Sequence, residues 1–255
     1  MSLWQDAHRH NKSNLLNKYS HYFPIYEKEF SEWKNKSVTI LEIGVSQGGS
    51  LQMWRRFFGP FSKIIGIDIN SRYKKLEEEG IYIRIGDQSD IKFLESIISE
   101  FGMPDIIIDD GSHIMDHVIK SFEFLYPKLS KNGIYVVEDL HTAYNKKFGG
   151  GLESTNNFVN ISKDFIDQLY ALYSKDLTPD FITYNTLRIS FYDSMIFFKR
   201  GNVNPIIHEL IGKPDVIYSL SKLIPNSLKP IAQKVRLLIK GWVYNLIQKL
   251  EHLTY

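Results

Sequence analysis

The sequence predicts a doubly wound α/β fold, in which a mostly parallel, seven-stranded sheet carries helices on both faces. Short apolar runs alternate with charge-dotted helical segments through the middle of the chain, and this is the order of a parallel sheet with crossover helices. Two further β-rich runs follow at 183–191 and 194–199, and the link between them is too short for a crossover. An antiparallel C-terminal hairpin therefore closes the predicted sheet.

Five apolar runs are predicted as the parallel strands, and three segments between them as helices. The strands are 38–43, 63–69, 81–85, 105–109 and 133–137, and the helices are 51–58, 91–101 and 117–129. The strand runs are rich in isoleucine and valine, as is usual when both faces of a parallel sheet are buried. We expect an N-terminal helical cap segment at 1–34, the sheet domain at 35–201 and a helical C-terminal extension at 202–255.

The C-terminal extension ends in a basic, amphipathic stretch at 231–250. Such a stretch is typical of a helix that lies on a membrane surface, pairs with a second subunit or packs on its own domain. We expect a homo-oligomer, with peripheral membrane contact of this helix as the alternative use.

Composition excludes several classes of protein. The 255 residues include no cysteine, which excludes disulfides, thiolate metal sites and cysteine nucleophiles. The net charge of +2 gives no reason to expect a nucleic-acid partner. The first 20 residues lack the apolar core of a signal peptide, and no apolar run reaches the ~18 residues of a membrane span. We therefore expect a cytoplasmic protein without a transmembrane segment.

Two acidic clusters follow neighbouring predicted strands, Asp109-Asp110-Gly111-Ser112-His113 and Glu138-Asp139. Ligands of open α/β sheets bind just beyond the carboxyl ends of the strands, so these carboxylates and the imidazole would meet in one crevice. Carboxylates at such spacing repel each other unless a cation lies between them, and their hard oxygens suit Mg²⁺, Mn²⁺ or Ca²⁺. The pattern predicts a divalent metal site.

A glycine-rich turn joins the first predicted strand to the first helix, Glu42-Ile43-Gly44-Val45-Ser46-Gln47-Gly48-Gly49-Ser50. Its spacing differs from the G-x-G-x-x-G of dinucleotide enzymes. An acidic residue, Glu42, also lies two positions before the first glycine of the turn, Gly44. An anion there repels a pyrophosphate but suits the sulfonium or ammonium of S-adenosylmethionine. We predict that this cofactor contacts Glu42, Gly44, Ser46, Gly48 and Ser50.

Polar residues at three further strand ends complete the predicted cofactor site. Asp68 closes the second strand and is placed to bind both ribose hydroxyls. Asp87 and Gln88 follow the third strand and are placed at the adenine edge. Asp109 ends the fourth strand and either contacts the cofactor or bonds backbone amides in its turn. The interpretation of Asp68 and Asp87 as mere turn or cap residues stays open.

Five motifs occur in order along the chain: Glu42-Ile43-Gly44-Val45, Gly48-Gly49-Ser50, Asp109-Asp110-Gly111-Ser112-His113, Glu138-Asp139-Leu140-His141-Thr142 with Tyr144, and Phe191-Tyr192-Asp193-Ser194. Together they resemble the metal-dependent sugar O-methyltransferases that act on macrolide deoxysugars, and similar enzymes of bacterial capsule and natural-product pathways. The resemblance covers 21–201 and implies a class I methyltransferase fold with S-adenosylmethionine and Mg²⁺ as cofactors. It also implies a nucleotide-linked, glycan-precursor or natural-product sugar as the small-molecule substrate.

By that resemblance, Asp110, Glu138 and Asp139 correspond to the Mg²⁺ ligands and His113 to the general base. The chemistry agrees, because an alcohol is a poor nucleophile at neutral pH and both a bound cation and a nearby base would activate it. His141 and Tyr144 follow the second acidic cluster on a loop. They are candidates to orient the acceptor or to serve as a second base.

Three other interpretations stay open. Asp110, His113 and His117 form a set that suits a non-heme iron hydroxylase of the cephalosporin-hydroxylase-like type, although Glu138 and Asp139 would then lie uncompensated beside the iron. The same metal chemistry fits a catechol-type O-methyltransferase. A non-catalytic assembly subunit would keep the cofactor-binding fold alone.

Overall fold

Two compact units divide the chain, Met1–Ile206 and Ile207–Tyr255. The structure is a computed structural model that describes residues 1–10 and 13–204 together with residues 207, 209 and 211. The second unit therefore falls outside the described residues except at those last three positions. The helix predicted at 231–250 also lies outside them.

Among the described residues, seven strands form one sheet. They are β1 (Thr39–Ile43), β2 (Lys63–Asp68), β3 (Ile81–Ile85), β4 (Ile106–Asp109), β5 (Ile134–Val137), β6 (Thr186–Tyr192) and β7 (Met195–Arg200). Their order across the sheet is β3-β2-β1-β4-β5-β7-β6. The first five strands pair in parallel, and β7 is antiparallel to both β5 and β6. The predicted fold class, a mostly parallel sheet closed by an antiparallel hairpin, is confirmed.

The α-helices of the same unit are α1 (Leu3–Arg9), α2 (Tyr22–Glu29), α3 (Gly49–Phe58), α4 (Ile91–Phe101), α5 (Met115–Leu125), α6 (Phe158–Tyr170) and α7 (Phe181–Asn185). Capping side chains explain where several of them begin. The Asp90 carboxylate accepts hydrogen bonds from two amides in the first turn of α4, and Asn157 does the same for α6. Within the described ranges, no helix combines the length and the apolarity needed to span a bilayer.

One predicted strand boundary is wrong by three residues. The strand expected at 183–191 begins only at Thr186, because helix α7 occupies the preceding residues. Asp180 accepts a hydrogen bond from the Thr183 amide at 3.1 Å, and the Thr183 hydroxyl accepts one from the Asp180 amide at 3.1 Å. This reciprocal cap stabilises a helical turn in a run of residues whose composition favours a strand.

The sheet is covered on both faces. Alternate strand residues such as Ile40 and Ile106 pack in one core with aromatic residues of α2 and α3. Their neighbours, such as Leu41 and Ile107, pack in a second core with α4, α5 and α6. The helix α2 therefore lies on the same face as α3, the helix that follows the glycine-rich turn.

The strand order reverses between β1 and β4. The chain runs outward from β1 through β2 to β3 and then returns to β4 on the other side of β1. A crevice forms outside the carboxyl ends of the strands at such a reversal, and it is the usual ligand site of this architecture. The glycine-rich turn and both acidic clusters follow β1, β4 and β5 at this edge.

Candidate active site

The turn after β1 needs glycine because its backbone passes close to its neighbours. Gly44 has φ +95°, and a Cβ there would lie 2.1 Å from the backbone oxygen of Asp110. A Cβ on Gly49 would lie 2.4 Å from the backbone oxygen of Leu15. The turn is therefore held between the loop after β4 and the segment at 13–20. Gly48 takes a left-handed conformation at the N-cap of α3.

We expect Gly44→Ala to lower the free energy of unfolding by about 2 to 4 kcal/mol, because the strain of a positive φ adds to the clash with Asp110. Gly149→Ala is the matched control, since Gly149 has φ +80° but its Cβ would lie 4.0 Å from the nearest atom. Strain alone predicts a loss of about 1 to 2 kcal/mol there. Urea unfolding followed by circular dichroism measures both variants. Equal losses would contradict the clash at Gly44.

Glu42 is fully buried near the end of β1. Its Oε2 accepts a hydrogen bond from Trp54 Nε1 at 3.1 Å, whereas its Oε1 has no hydrogen-bond partner among the described residues. Burial raises the pKa of Glu42 to about 7. Of the other residues predicted in the turn, Ser46 is exposed with φ +47°, and Ser50 is buried in the first turn of α3.

Asp68 ties the end of β2 to the glycine-rich turn. Its Oδ2 accepts hydrogen bonds from the Val45 amide at 2.9 Å and from the Ser46 amide at 3.2 Å. Its Oδ1 accepts one from the Asn70 amide at 2.8 Å. Because carboxylate oxygens have further lone pairs, these bonds leave room for ribose hydroxyls. The role of Asp68 in ribose binding stays a prediction.

Three other residues predicted at the cofactor have partners within the protein. Asp87 Oδ1 accepts hydrogen bonds from the amide and the hydroxyl of Ser89, and these bonds hold the pKa of Asp87 below its usual value. Gln88 and Asp109 are buried, and Gln88 Nε2 donates to Asp109 Oδ1 at 3.1 Å. Asp109 Oδ2 also accepts a bond from Ser121 Oγ at 2.6 Å. Asp109 thus bonds side chains rather than the amides of its turn, and the cofactor contacts of all three stay predictions.

A carboxylate and imidazole cluster lies beyond the ends of β4 and β5. One ligand atom from each of Asp110, His113 and Asp139 lies within 4.8 Å of the others. His113 Nε2 is 3.8 Å from Asp110 Oδ1 and 3.7 Å from Asp139 Oδ2. All three side chains are partly exposed. Two carboxylates and an imidazole at these distances fit a divalent cation chemically.

Two residues of this cluster have a left-handed backbone. His113 has φ +57° and Asp139 has φ +54°. Such conformations cost about 1 to 3 kcal/mol each and concentrate at functional sites. Asp139 is further fixed by Tyr22, whose hydroxyl donates to Asp139 Oδ1 at 2.7 Å. The positive φ angles of His113 and Asp139 therefore lower the stability of the fold, and they hold the two side chains at the sheet edge.

Glu138 is oriented differently from its neighbour Asp139. Its carboxylate is buried, and its Oε1 accepts hydrogen bonds from Lys18 Nζ at 2.6 Å and from the Tyr26 hydroxyl. Its Oε2 has no hydrogen-bond partner in the part of the chain that the structure describes. Burial, and then the charge of Asp110, raise the pKa of Glu138 to about 8. The orphan oxygen fits a role as a metal ligand, which stays a prediction.

Sequence reasoning misses Lys18. Its side chain is only 3% exposed, and its Nζ lies 2.6 Å from Asp110 Oδ2 and 3.6 Å from Glu42 Oε1 in addition to its bond with Glu138. The residue lies in a polar segment between α1 and α2, far along the chain from every acidic motif. A lysine in such a segment gives no pattern that separates it from an exposed one.

A cavity of about 500 Å³ lies beside the loop after β5, and its lining includes Leu140, the residue that follows Asp139. The residues predicted to face the acceptor, His141 and Tyr144, line it together with the hairpin motif, and His141 Nδ1 lies 3.2 Å from Ser194 Oγ. The full lining is Leu140, His141, Tyr144, Val159, Lys163, Ile166 and residues 191–196. The structure thus brings the fourth and fifth motifs together around one largely apolar space.

Three curated relatives that match this chain are O-methyltransferases by name, and the name of one of them specifies a rhamnosyl substrate. Mycinamicin VI 2''-O-methyltransferase of Micromonospora griseorubida is 36% identical over 198 residues, 71% of this chain and 48% of the relative. Demethylmacrocin O-methyltransferase of Streptomyces fradiae is 35% identical, over 71% and 49%. The 8-demethyl-8-alpha-L-rhamnosyl tetracenomycin-C 2'-O-methyltransferase of Streptomyces olivaceus is 38% identical, over 58% and 41%. The chain spans about half the length of the curated relatives it matches. No protein-family model matches it.

Solved structures that resemble this chain are also methyltransferases. MycE methyltransferase from the mycinamycin biosynthetic pathway, in complex with Mg and SAH, superposes with a TM-score of 0.71 at 33% identity, over 79% of this chain and 55% of that chain. Its complex with Mg, SAH and mycinamycin VI gives a TM-score of 0.71 at 32% identity, over 88% and 59%. The chain is therefore homologous to these O-methyltransferases over the part of them that it spans, and it has the class I methyltransferase fold.

Proposed function

We propose that this protein is an S-adenosylmethionine- and Mg²⁺-dependent O-methyltransferase that methylates a hydroxyl of a deoxysugar on a small molecule. The observation that carries the proposal is the position of the Asp110, His113 and Asp139 cluster at the same sheet edge as the glycine-rich turn. Identities of 36% with mycinamicin VI 2''-O-methyltransferase and of 38% with a methyltransferase named for a rhamnosyl substrate support it. The proposal rests on the half of each relative's length that this chain matches.

S-adenosylmethionine fits the donor set of the turn after β1. Glu42 Oε1 accepts no hydrogen bond from the described residues, although Lys18 Nζ lies 3.6 Å away, and this buried acceptor favours a cationic ligand and disfavours a pyrophosphate. Gly44 carries no side chain, so the turn can lie directly against the backbone of Asp110, next to the acidic cluster. Asp68 at the end of β2 would accept hydrogen bonds from the ribose. These residues would bind the methyl donor beside the acidic cluster.

Asp110 and Asp139 would hold the Mg²⁺ ion, with Glu138 as the third carboxylate. When bound, the ion would lower the pKa of an acceptor hydroxyl by Lewis-acid polarisation. His113 would accept the proton of that hydroxyl. Its ring lies within 4 Å of Asp110 and Asp139, and these carboxylates would stabilise the imidazolium that results.

The cavity beside His141 would receive the acceptor. Its walls combine apolar side chains of α6 with polar atoms of the 191–196 hairpin, and this mixture suits a sugar attached to an apolar body. His141 and Tyr144 would orient the sugar at the mouth of the cavity. Since the named relatives belong to natural-product pathways, a natural-product sugar is favoured over a capsule precursor.

The iron-hydroxylase alternative has less support. His117 Nδ1 lies 3.1 Å from Ser112 Oγ, so its ring is engaged away from the cluster. Among the described residues, the group that could hold a metal ion is Asp110, His113 and Asp139, so its third member is Asp139 and not His117. A catechol acceptor would use the same metal residues, but the named relatives favour a sugar.

Incubation with isotopically labelled S-adenosylmethionine, Mg²⁺ and a panel of deoxysugar-bearing macrolides and polyketides tests the proposal. We expect mass spectrometry to show one labelled methyl group on the sugar of at least one acceptor. Methylation of catechols alone would favour the catechol alternative. Turnover that requires Fe²⁺ and 2-oxoglutarate would overturn the proposal in favour of the hydroxylase.

We expect Asp68→Ala to weaken the binding of S-adenosylhomocysteine by about tenfold or more, since it removes a charged hydrogen-bond acceptor for the ribose. Calorimetric titration measures the Kd. Asp116→Ala is the control, because Asp116 is an exposed carboxylate on α5 that pairs only with Lys120 among the described residues. Asp68→Asn tests whether shape suffices without the charge. An unchanged Kd in Asp68→Ala would refute the ribose contact.

A further inference from the structure

Lys18 is a buried cation among carboxylates that the metal site also needs. Its Nζ is 2.6 Å from Asp110 Oδ2 and 2.6 Å from Glu138 Oε1. Both carboxylates are among the three assigned above to Mg²⁺. Burying an ammonium group has an unfavourable free energy unless the charge is paired. The contacts with Asp110 and Glu138 therefore explain how the Lys18 side chain can be buried.

One ammonium does not neutralise this group of carboxylates. Glu42 also faces Lys18, at 3.6 Å, so three carboxylates share one positive charge. Glu138 Oε2 and Glu42 Oε1 are buried without hydrogen-bond partners among the described residues. When all three carboxylates are ionised, the site has an excess of negative charge, and Glu138 Oε2 is an unused acceptor atom, which is what a second cation requires.

Lys18 belongs to a segment that lies on the cofactor turn. The Asn14 amide donates to Gln52 Oε1 at 2.9 Å, and the Leu15 backbone lies so close to Gly49 that a Cβ there would clash. This segment, at 13–20, has no regular secondary structure. Its Lys18 side chain thus connects the turn after β1 to the carboxylates after β4 and β5.

We propose that Lys18 is an internal counter-cation that competes with the divalent ion for Asp110 and Glu138. Without the ion, its ammonium bridges the two carboxylates and keeps them from repelling each other. When the ion binds, the ammonium gives up these carboxylates and the side chain leaves its buried position. Lys18 would in this way weaken metal binding and couple it to the position of the segment at 13–20. The inference rests on the metal site proposed above.

Titration of the protein with Mn²⁺ alone, without cofactor or acceptor, tests the competition. We expect Lys18→Met to bind Mn²⁺ about tenfold or more tightly than the wild type, because the competing charge is gone. Lys120→Met is the matched control, since it removes a lysine of α5 that pairs with Asp116 at the surface, and its affinity should be unchanged. Equal or weaker binding by Lys18→Met would overturn the inference. A wild type that binds no Mn²⁺ would instead refute the metal site itself, and the inference with it.

Acylation of lysine side chains in the wild type gives a second test that does not depend on the stability of a variant. Lys18 should react slowly with an amine-acylating reagent, because its side chain is 3% exposed. We expect Mn²⁺ to increase its labelling several-fold, as measured by mass spectrometry of the digested protein, while Lys120 stays constant. Labelling of Lys18 that Mn²⁺ leaves unchanged or lowers would contradict the displacement.

Discussion

Replacement of His113 by asparagine is expected to lower kcat by about 10²- to 10⁴-fold, because the acceptor hydroxyl loses its general base. Asparagine is preferable to alanine here, since His113 has φ +57° and asparagine tolerates this conformation better. The fold should survive, because the side chain is partly exposed at the sheet edge. Transfer of a labelled methyl group at saturating Mg²⁺ and cofactor measures the change.

Two controls separate a base from a metal ligand at His113. His117→Asn should retain near-normal turnover, because the His117 ring bonds Ser112 rather than the cluster. Mn²⁺ affinity should be preserved in His113→Asn if the imidazole acts on the proton of the acceptor. A loss of Mn²⁺ affinity that parallels the loss of kcat would make His113 a ligand instead of a base.

The sheet was predictable because its strands are specified locally. Each parallel strand is an isoleucine- and valine-rich run bounded by polar or turn residues, and β3 matches its predicted limits. The hairpin followed from the short link after Tyr192. The start of β6 failed because the cap formed by Asp180 and Thr183 stabilises a helical turn where composition favours a strand.

The candidate site was predictable only in part, since motifs give positions along the chain but not side-chain directions. Asp110, His113 and Asp139 meet as the strand ends require. Glu138 is adjacent to Asp139 in sequence, yet the left-handed backbone of Asp139 marks a sharp change of direction there, and Glu138 points to Lys18 and Tyr26. No local pattern contains that information.

Long-range contacts explain the remaining misses. Lys18 reaches the site across 92 residues to Asp110 and 120 residues to Glu138, and no spacing rule covers such distances. Asp109 is the last residue of β4 and Asp110 follows it directly. Because side chains alternate along a strand, the Asp109 side chain points to the opposite face, where it accepts hydrogen bonds from Gln88 and Ser121. Adjacent acidic residues can thus serve the core and the crevice separately.

Removal of the metal should have the largest effect on activity. Excess EDTA is expected to abolish turnover of the wild type while S-adenosylhomocysteine still binds, because the cofactor residues after β1 and β2 are distinct from the carboxylates after β4 and β5. Added Mg²⁺ should restore the rate. Calorimetry for binding and labelled methyl transfer for turnover give the two readouts. A rate that chelation leaves unchanged would remove the metal from the mechanism.

Asp139→Asn locates that metal dependence on one side chain. The substitution keeps the size of the side chain and a residue type that tolerates φ +54°, and its amide oxygen can still accept the Tyr22 hydrogen bond. It removes one negative charge from the cluster, so Mn²⁺ affinity should fall by about 10- to 100-fold or more, and turnover should need correspondingly more Mg²⁺. Asp116→Asn, an exposed carboxylate on α5, controls for the change of net charge. If Asp139→Asn bound Mn²⁺ as tightly as the wild type, the ion would have to lie on other residues, since a ligand carboxylate cannot lose its charge without weakening the bond.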